Sequence, residues 1–98
     1  MNEQMIFQTI SQVALQLKTM QNLTDADAVS RASSFVKRIS DSAKTMAGDN
    51  NQMMFFQTIS QVAIQYLFRE SKTEDEAITL ATSFVNSMKV EAATIVNS

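Results

Sequence analysis

Hydrophobic residues recur along the first twenty positions in alternating steps of four and three. They are Ile6, Ile10, Val13, Leu17 and Met20, with Phe7 and Ala14 beside them. On a helix this spacing places all of them on one side, and polar residues occupy the other side. The pattern predicts an amphipathic α-helix from Glu3 to Gln21 whose apolar side packs on a core.

The same periodicity predicts three more helices. Thr24 and Thr73 are each followed by acidic residues, which is typical of a helix N-cap, and Glu76 completes a capping box with Thr73. Gly48, in the short link Ala47-Gly48-Asp49-Asn50, is suited to the left-handed backbone that ends many helices. The third helix is expected from about Gln52 to Glu70 and the fourth from Thr73 to about Val96. The residues of these helices predicted to point inward are Ala28, Val29, Ala32, Phe35, Val36, Ile39, Ala43, Met46, Phe55, Phe56, Ile59, Val62, Ala63, Tyr66, Ala77, Ile78, Ala81, Phe84, Val85, Met88, Ala92, Ile95 and Val96.

The chain contains an internal repeat. The eight residues Phe7–Ala14, FQTISQVA, return unchanged at Phe56–Ala63, an offset of half the 98 residues. At this offset the two halves align without a gap, and their identities concentrate in the first helix of each half. We therefore expect a single all-α domain, residues 1–98, made of two tandem helical hairpins (1–49 and 50–98) that pair about a pseudo-two-fold axis into an antiparallel four-helix bundle.

Composition narrows the functional classes. The chain has no His, no Cys and no Pro, one Gly, and a net charge of −2. There is accordingly no disulfide, thiolate metal site, glycine-rich phosphate loop or near-neutral acid–base residue. We expect no enzymatic activity, no cofactor and no metal. Without a signal-peptide pattern or an apolar run long enough to span a membrane, we expect a soluble cytoplasmic protein with no membrane partner.

Acidic residues cluster at the two predicted N-caps, in Asp25, Asp27 and the run Glu74-Asp75-Glu76. Negative charge is favourable at helix N-termini, so capping explains them. A hard-cation site at Glu74-Asp75-Glu76 is the alternative, although three consecutive residues point in different directions around a helix.

Polar identities between the halves need a separate explanation, because exposed polar positions usually change at little cost. Gln8, Ser11, Gln12 and Gln16 recur as Gln57, Ser60, Gln61 and Gln65. One interpretation is recent duplication, or glutamines that hydrogen-bond across the contact between the hairpins. The other is a paired glutamine surface, centred on Gln12 and Gln61, that recognises a partner.

A set of apolar positions lies off the main stripes. Leu15 and Ile64 are equivalent, and in the second half Leu67, Phe68, Leu80 and Val90 replace Lys18, Thr19, Arg31 and Asp41. Either the core of the second hairpin is rotated, or these residues form an apolar patch for self-association or for a protein partner.

A basic group lies on the second helix, where Arg31, Lys37, Arg38 and Lys44 form two lines of residues seven apart. Asp41 lies among them and the chain is net acidic, so a solvated face is one interpretation and nucleic-acid binding the other. The sequence thus favours a non-enzymatic protein-interaction module, an adaptor, inhibitor or regulatory protein, that contacts a protein partner or another copy through Leu15, Ile64, Leu67, Phe68, Leu80 and Val90. A nucleic-acid-associated regulator that uses the basic group is the alternative.

Overall fold

The computed structural model describes residues 2–48 and 50–98. Met1 lies outside the described residues, as does Asp49, which belongs to the predicted link between the hairpins. Within the described residues there are four α-helices and no strand, which confirms the all-α prediction. The helices are α1 (Glu3–Gln21), α2 (Asp25–Ala47), α3 (Gln52–Phe68) and α4 (Glu74–Val96). Only α3 differs noticeably from its predicted range, because it ends two residues earlier.

The predicted caps set the helix boundaries. The Thr24 hydroxyl accepts a hydrogen bond from the Asp27 amide at 3.2 Å, and the Thr73 hydroxyl accepts one from the Glu76 amide at 3.1 Å. The Glu76 carboxylate accepts in return from the Thr73 amide at 3.0 Å, so the capping box is present. At the end of α2, Gly48 adopts a positive φ of 63°, where a side chain would be strained.

The helices pack in chain order. Each contacts the next along the chain, α2 also touches α4, α1 also touches α3, and the described parts of α1 and α4 are not in contact. This packing is compatible with a four-helix bundle, but an open one. The pseudo-two-fold relation is not confirmed, because a two-fold along the bundle would map the α2–α3 contact onto an α4–α1 contact.

The open packing makes a flat molecule of 50 × 28 × 15 Å. Two packed helices have axes 8–10 Å apart and Cα radii of about 2.3 Å, so the shortest dimension corresponds to about two layers of helices. Contacts in chain order then put α1 and α3 in one layer and α2 and α4 in the other. Two polar contacts join α2 to α4, Arg31–Glu74 at 3.1 Å and Ser42–Thr82 at 3.1 Å. Residue numbers rise together along both helices, so α2 and α4 are parallel.

The core lies between the layers. Its largest fully buried side chains are those of Phe35, Phe56, Leu17, Ile39 and Ile59. Small residues on α2 and α4, including Ala32, Ala43, Ala77 and Ala81, are also buried, and they let the helices approach closely.

Several residues that the periodicity predicts in the core are instead exposed. They are Phe7, Met20, Val29, Phe84, Met88, Ala92, Ile95 and Val96. Most lie on α1 and α4, the two outer helices of the chain-ordered packing, which lack a further helix on one side. In addition, α4 has 23 residues and α3 has 17. At 1.5 Å per residue, α4 is about 9 Å longer, so its end extends past the start of α3. Every residue of α4 from Asn86 onward is exposed.

Candidate interaction surfaces

An exposed apolar stripe runs along α4 and is called here the α4 free face. It consists of Leu80, Phe84, Met88 and Ile95, which are 38%, 52%, 40% and 71% exposed. At 3.6 residues per turn, these positions fall within about 80° of one another around the helix. Side chains of this size are usually buried, so an exposed stripe of them marks a surface suited to contact, although the exposed Glu91 lies between Met88 and Ile95 on the same side.

The repeat explains why this stripe is uncovered. On α2 the positions equivalent to Phe84 and Met88 are Phe35 and Ile39, and both are fully buried. The helix α2 packs between α1 and α3, whereas α4 packs against α3 and, more lightly, α2. The α4 free face is therefore the surface against which a further helix would lie if the packing continued.

A second exposed apolar face lies on α1 and is called here the α1 free face. Phe7 and Leu15 are 69% and 65% exposed, and Ser11 lies between them on the same side. Their counterparts on α3 are covered, since Phe56 is fully buried and Ile64 packs partly buried against the core. Thus α1 leaves exposed the side that α3 packs against its neighbours, and Phe7 and Ser11 on this side also line a groove that α1 forms with α3.

The six apolar residues singled out from the sequence do not form one patch. Leu15 lies on the α1 free face and Leu80 on the α4 free face, at opposite ends of the packing order. Val90 is exposed on another side of α4, at a helical angle about 120° from Phe84. Phe68 and Ile64 pack partly buried against the core. Leu67 is a core residue, 9% exposed, and is not an accessible contact residue; it replaces Lys18 because α3, unlike α1, is an inner helix.

The residues that the sequence interpretation missed as a surface are Phe7, Phe84, Met88 and Ile95. Their helical spacing is that of a core stripe, so periodicity alone predicts burial. The repeat itself is the signal that could have found them. When two repeat units pack side by side, a residue on an outer helix lacks the neighbouring helix that buries its equivalent on an inner helix.

The paired glutamines do come together in space. Gln8 and Gln12 of α1 and Gln57, Gln61 and Gln65 of α3 are exposed and line one groove between the two helices, whereas Gln16 does not line it. In the described part of the chain, no hydrogen bond joins one of these amides to another. The buried Ser60 hydroxyl in the same groove has no hydrogen-bond partner. The groove is thus open and lined by both glutamines and apolar residues, including Phe7 and Ile64, and among the described residues it holds no hydrogen bond between glutamines.

The basic residues of α2 are divided between two sides of the helix. Arg31 bonds Glu74 at 3.1 Å and Gln21 at 2.7 Å, and Arg38 pairs with Asp75 at 2.7 Å. Lys37 and Lys44 line a different groove, between α1 and α2, and Lys37 pairs with Asp41 at 3.1 Å. A continuous basic surface for phosphates is therefore not assembled by these four residues.

The acidic run at the start of α4 is engaged in structural contacts. Glu74 and Asp75 pair with arginines of α2, and Glu76 belongs to the capping box. The hydrogen bonds from the Thr73 backbone and side chain lower the pKa of Glu76, and the hydrogen bond and charge of Lys18 lower the pKa of Asp25. Among the described residues no group of three or more acidic side chains is placed to hold a metal ion.

No helix in the described part of the chain is both long and apolar enough to cross a membrane. Comparisons with protein-family models, with curated proteins and with solved structures found no match for this chain. Its own residues and geometry are consequently the basis for a functional proposal.

Proposed function

We propose that this chain is a non-enzymatic protein-interaction module that presents a helix face to a protein partner. The observation that carries the proposal is the α4 free face, where Leu80, Phe84, Met88 and Ile95 are exposed although the equivalent Phe35 and Ile39 of α2 are fully buried. Burial of exposed apolar area is the main favourable contribution to protein association. Phe and Met are also enriched at interface centres.

The architecture proposed with this function is two tandem hairpins, α1–α2 and α3–α4, that pack side by side as copies of one unit. Two observations support it. Residues 42 and 82 meet, as do 31 and 74, so α2 and α4 run parallel with a nearly constant offset along the chain. At the far end, the Lys89 ammonium donates to the Met46 carbonyl at 2.9 Å, again at a similar offset.

The proposal is tested by placing a photo-crosslinking phenylalanine analogue at position 84 in cells that naturally express the chain. Because Phe84 is exposed, the substitution leaves the fold intact, which a thermal melt verifies. The matched control carries the analogue at Val90, which is 55% exposed on another side of the same helix. We expect protein adducts from position 84 and few from position 90. Adducts from neither position, or equally from both, would contradict an interaction through the α4 free face.

A further inference from the structure

We infer that the partner of the α4 free face is the α1 free face of a second copy of this chain, which docks head to tail as α3 docks on α2 within one copy. The inference rests on the proposed function, because it names the partner of the same face. The reason is that α2 and α3 contact each other between the hairpins, and the equivalent helices, α4 and α1, present the corresponding faces without a covering helix.

Equivalent phenylalanines in the two halves of the chain differ in exposure. On the receiving side, Phe35 of α2 is fully buried and its equivalent Phe84 of α4 is 52% exposed. On the docking side, Phe56 of α3 is fully buried and its equivalent Phe7 of α1 is 69% exposed. The inner helices α2 and α3 contact each other, and the outer helices α1 and α4 do not. Phenylalanines that are buried on the two inner helices therefore have exposed equivalents on the two outer helices.

The two open faces also have the composition of the inner contact. Phe7 and Ser11 of the α1 free face, and the half-buried Ile10 and Ala14 that pack against the core beside them, are identical to the buried α3 residues Phe56, Ser60, Ile59 and Ala63. On α4, Phe84 and Ala92 are identical to the buried Phe35 and Ala43 of α2, and Met88 stands in place of Ile39. Identical or similar side chains at equivalent helix positions can pack in the same way when the second helix comes from another copy.

Charged contacts do not carry over to the junction between copies. Within one copy, Arg31 and Arg38 of α2 pair with Glu74 and Asp75 of α4. The α4 positions equivalent to these arginines are Leu80 and Ser87. The junction thus lacks the equivalents of these two arginines, and the replacement of Arg31 by Leu80 adds to the apolar face that the second copy covers. Glu91, which stands in place of Ser42, is an exposed charged residue on the same side of α4.

A contact of this kind is heterologous, because different faces of the two copies meet. After two copies have docked, one still has an open α1 free face and the other an open α4 free face. Association can therefore continue into rows of copies or close into a ring. This property separates the inferred contact from a symmetric dimer in which two α4 free faces meet each other.

The experiment measures mass by sedimentation velocity and light scattering for the whole chain, for Phe7→Glu, for Phe84→Glu and for their mixture. Both residues are exposed, so both variants should keep the melting temperature that the wild type has at concentrations where it is a single chain. We expect the wild type to grow in mass with concentration and each variant alone to be a single chain. The mixture of the two variants should form a two-chain complex, because each supplies the face that the other lacks. Val90→Glu, the matched control on α4, should associate like the wild type.

Three results would overturn the inference. A wild type that stays a single chain at every concentration would do so, as would variants that associate as the wild type does. A Phe84→Glu variant that is monomeric beside a Phe7→Glu variant that still dimerises would show a symmetric α4 contact instead. If the wild type is monomeric but position 84 crosslinks to a different protein, the inference fails and the proposed function stands; if position 84 crosslinks to nothing, both fail.

Discussion

Phe35 and Phe84 occupy equivalent positions in α2 and α4, yet the first is fully buried and the second is about half exposed. Phe56 and Phe7 show the same contrast on α3 and α1. The local sequence around Phe7 and Phe56 is nearly identical, so the difference comes from whether a neighbouring helix is present. At the scale of the residue, the same side chain is a source of stability in an inner helix and an open contact residue in an outer one.

This contrast gives a matched pair of substitutions. Phe35→Ala removes a fully buried aromatic ring, and we expect it to lower the free energy of unfolding by about 3 to 5 kcal/mol. Phe84→Ala removes a ring that is 52% exposed, and its effect should be far smaller, near the ±0.5 kcal/mol typical of surface changes. Urea denaturation at a concentration where the chain is monomeric measures both. Equal losses would mean that Phe84 is covered in the single chain.

The Ser60 hydroxyl is a second residue whose environment is unusual, because it is buried without a hydrogen-bond partner. A buried unpaired hydroxyl is unfavourable, so Ser60→Ala should raise the free energy of unfolding by about 1 kcal/mol, including the better helix propensity of Ala. The control is Ser11→Ala, since the Ser11 hydroxyl is more exposed and donates to the Phe7 carbonyl at 2.9 Å. Ser11→Ala gains the higher helix propensity of Ala but does not remove a buried, unpaired hydroxyl. A smaller gain from Ser60→Ala than from Ser11→Ala would contradict the prediction.

At the scale of the element, local signals in the sequence were sufficient to place the helices. Thr24, Thr73 and Gly48 mark boundaries that the structure has, because caps depend on neighbouring residues only. The prediction of which side of each helix is buried held best for the inner helices, where Val29 is an exception, and failed at several positions of α1 and α4. The buried side depends on which other helices are near. The candidate site was missed for the same reason. The periodicity of Phe84 and Met88 is that of a core stripe, and nothing in the periodicity records that a neighbour is missing.

The capping box of α4 gives stability a pH dependence. Hydrogen bonds from Thr73 favour the ionised carboxylate of Glu76 and lower its pKa in the folded chain. A lowered folded pKa means that the contribution is fully present above the unfolded value of about 4.3 and is lost as the pH falls through the folded pKa. We expect Glu76→Ala to be less stable than the wild type at neutral pH, and the difference to shrink at lower pH through this range.

Thermal melts at a series of pH values measure this difference, and subtracting the variant from the wild type cancels the other carboxylates, including Asp25 beside Lys18. Glu76→Gln is the matched control, because an amide at this position can still accept from the Thr73 backbone without titrating. Its stability should lie between those of the other two chains at neutral pH. A gap between wild type and Glu76→Ala that stays constant down to strongly acidic pH would show that the ionised carboxylate is not the capping group.

At the scale of the whole molecule, packing in chain order determines where the open surfaces are. A closed bundle would cover α1 with α4, whereas the open arrangement leaves them apart and the molecule flat. Exact repetition of Phe7–Ala14 indicated two copies of one unit, but it could not indicate whether the copies close on each other or lie side by side. Both arrangements use the same amphipathic helices, and the choice depends on the sum of many contacts between them.

The apolar junction inferred between copies has a measurable consequence for its response to salt. Ion pairs between exposed groups weaken as the ionic strength rises, because the Debye length shortens from about 30 Å at 0.01 M to about 3 Å at 1 M. Leu80, Phe84, Met88 and Ile95 carry no charge, and Glu91 is an exposed acidic residue on the same side of α4. One exposed charge contributes at most about 1 kcal/mol to a contact, so we expect the self-association of the wild type to change little with sodium chloride. We expect sulfate to strengthen it, because sulfate is excluded from protein surfaces and favours burial. Sedimentation at matched chain concentrations measures the response, with Phe84→Glu in the same salts as the control for non-specific aggregation. Dissociation on addition of sodium chloride would indicate that charged residues such as Arg31 or Arg38, rather than the α4 free face, hold the copies together.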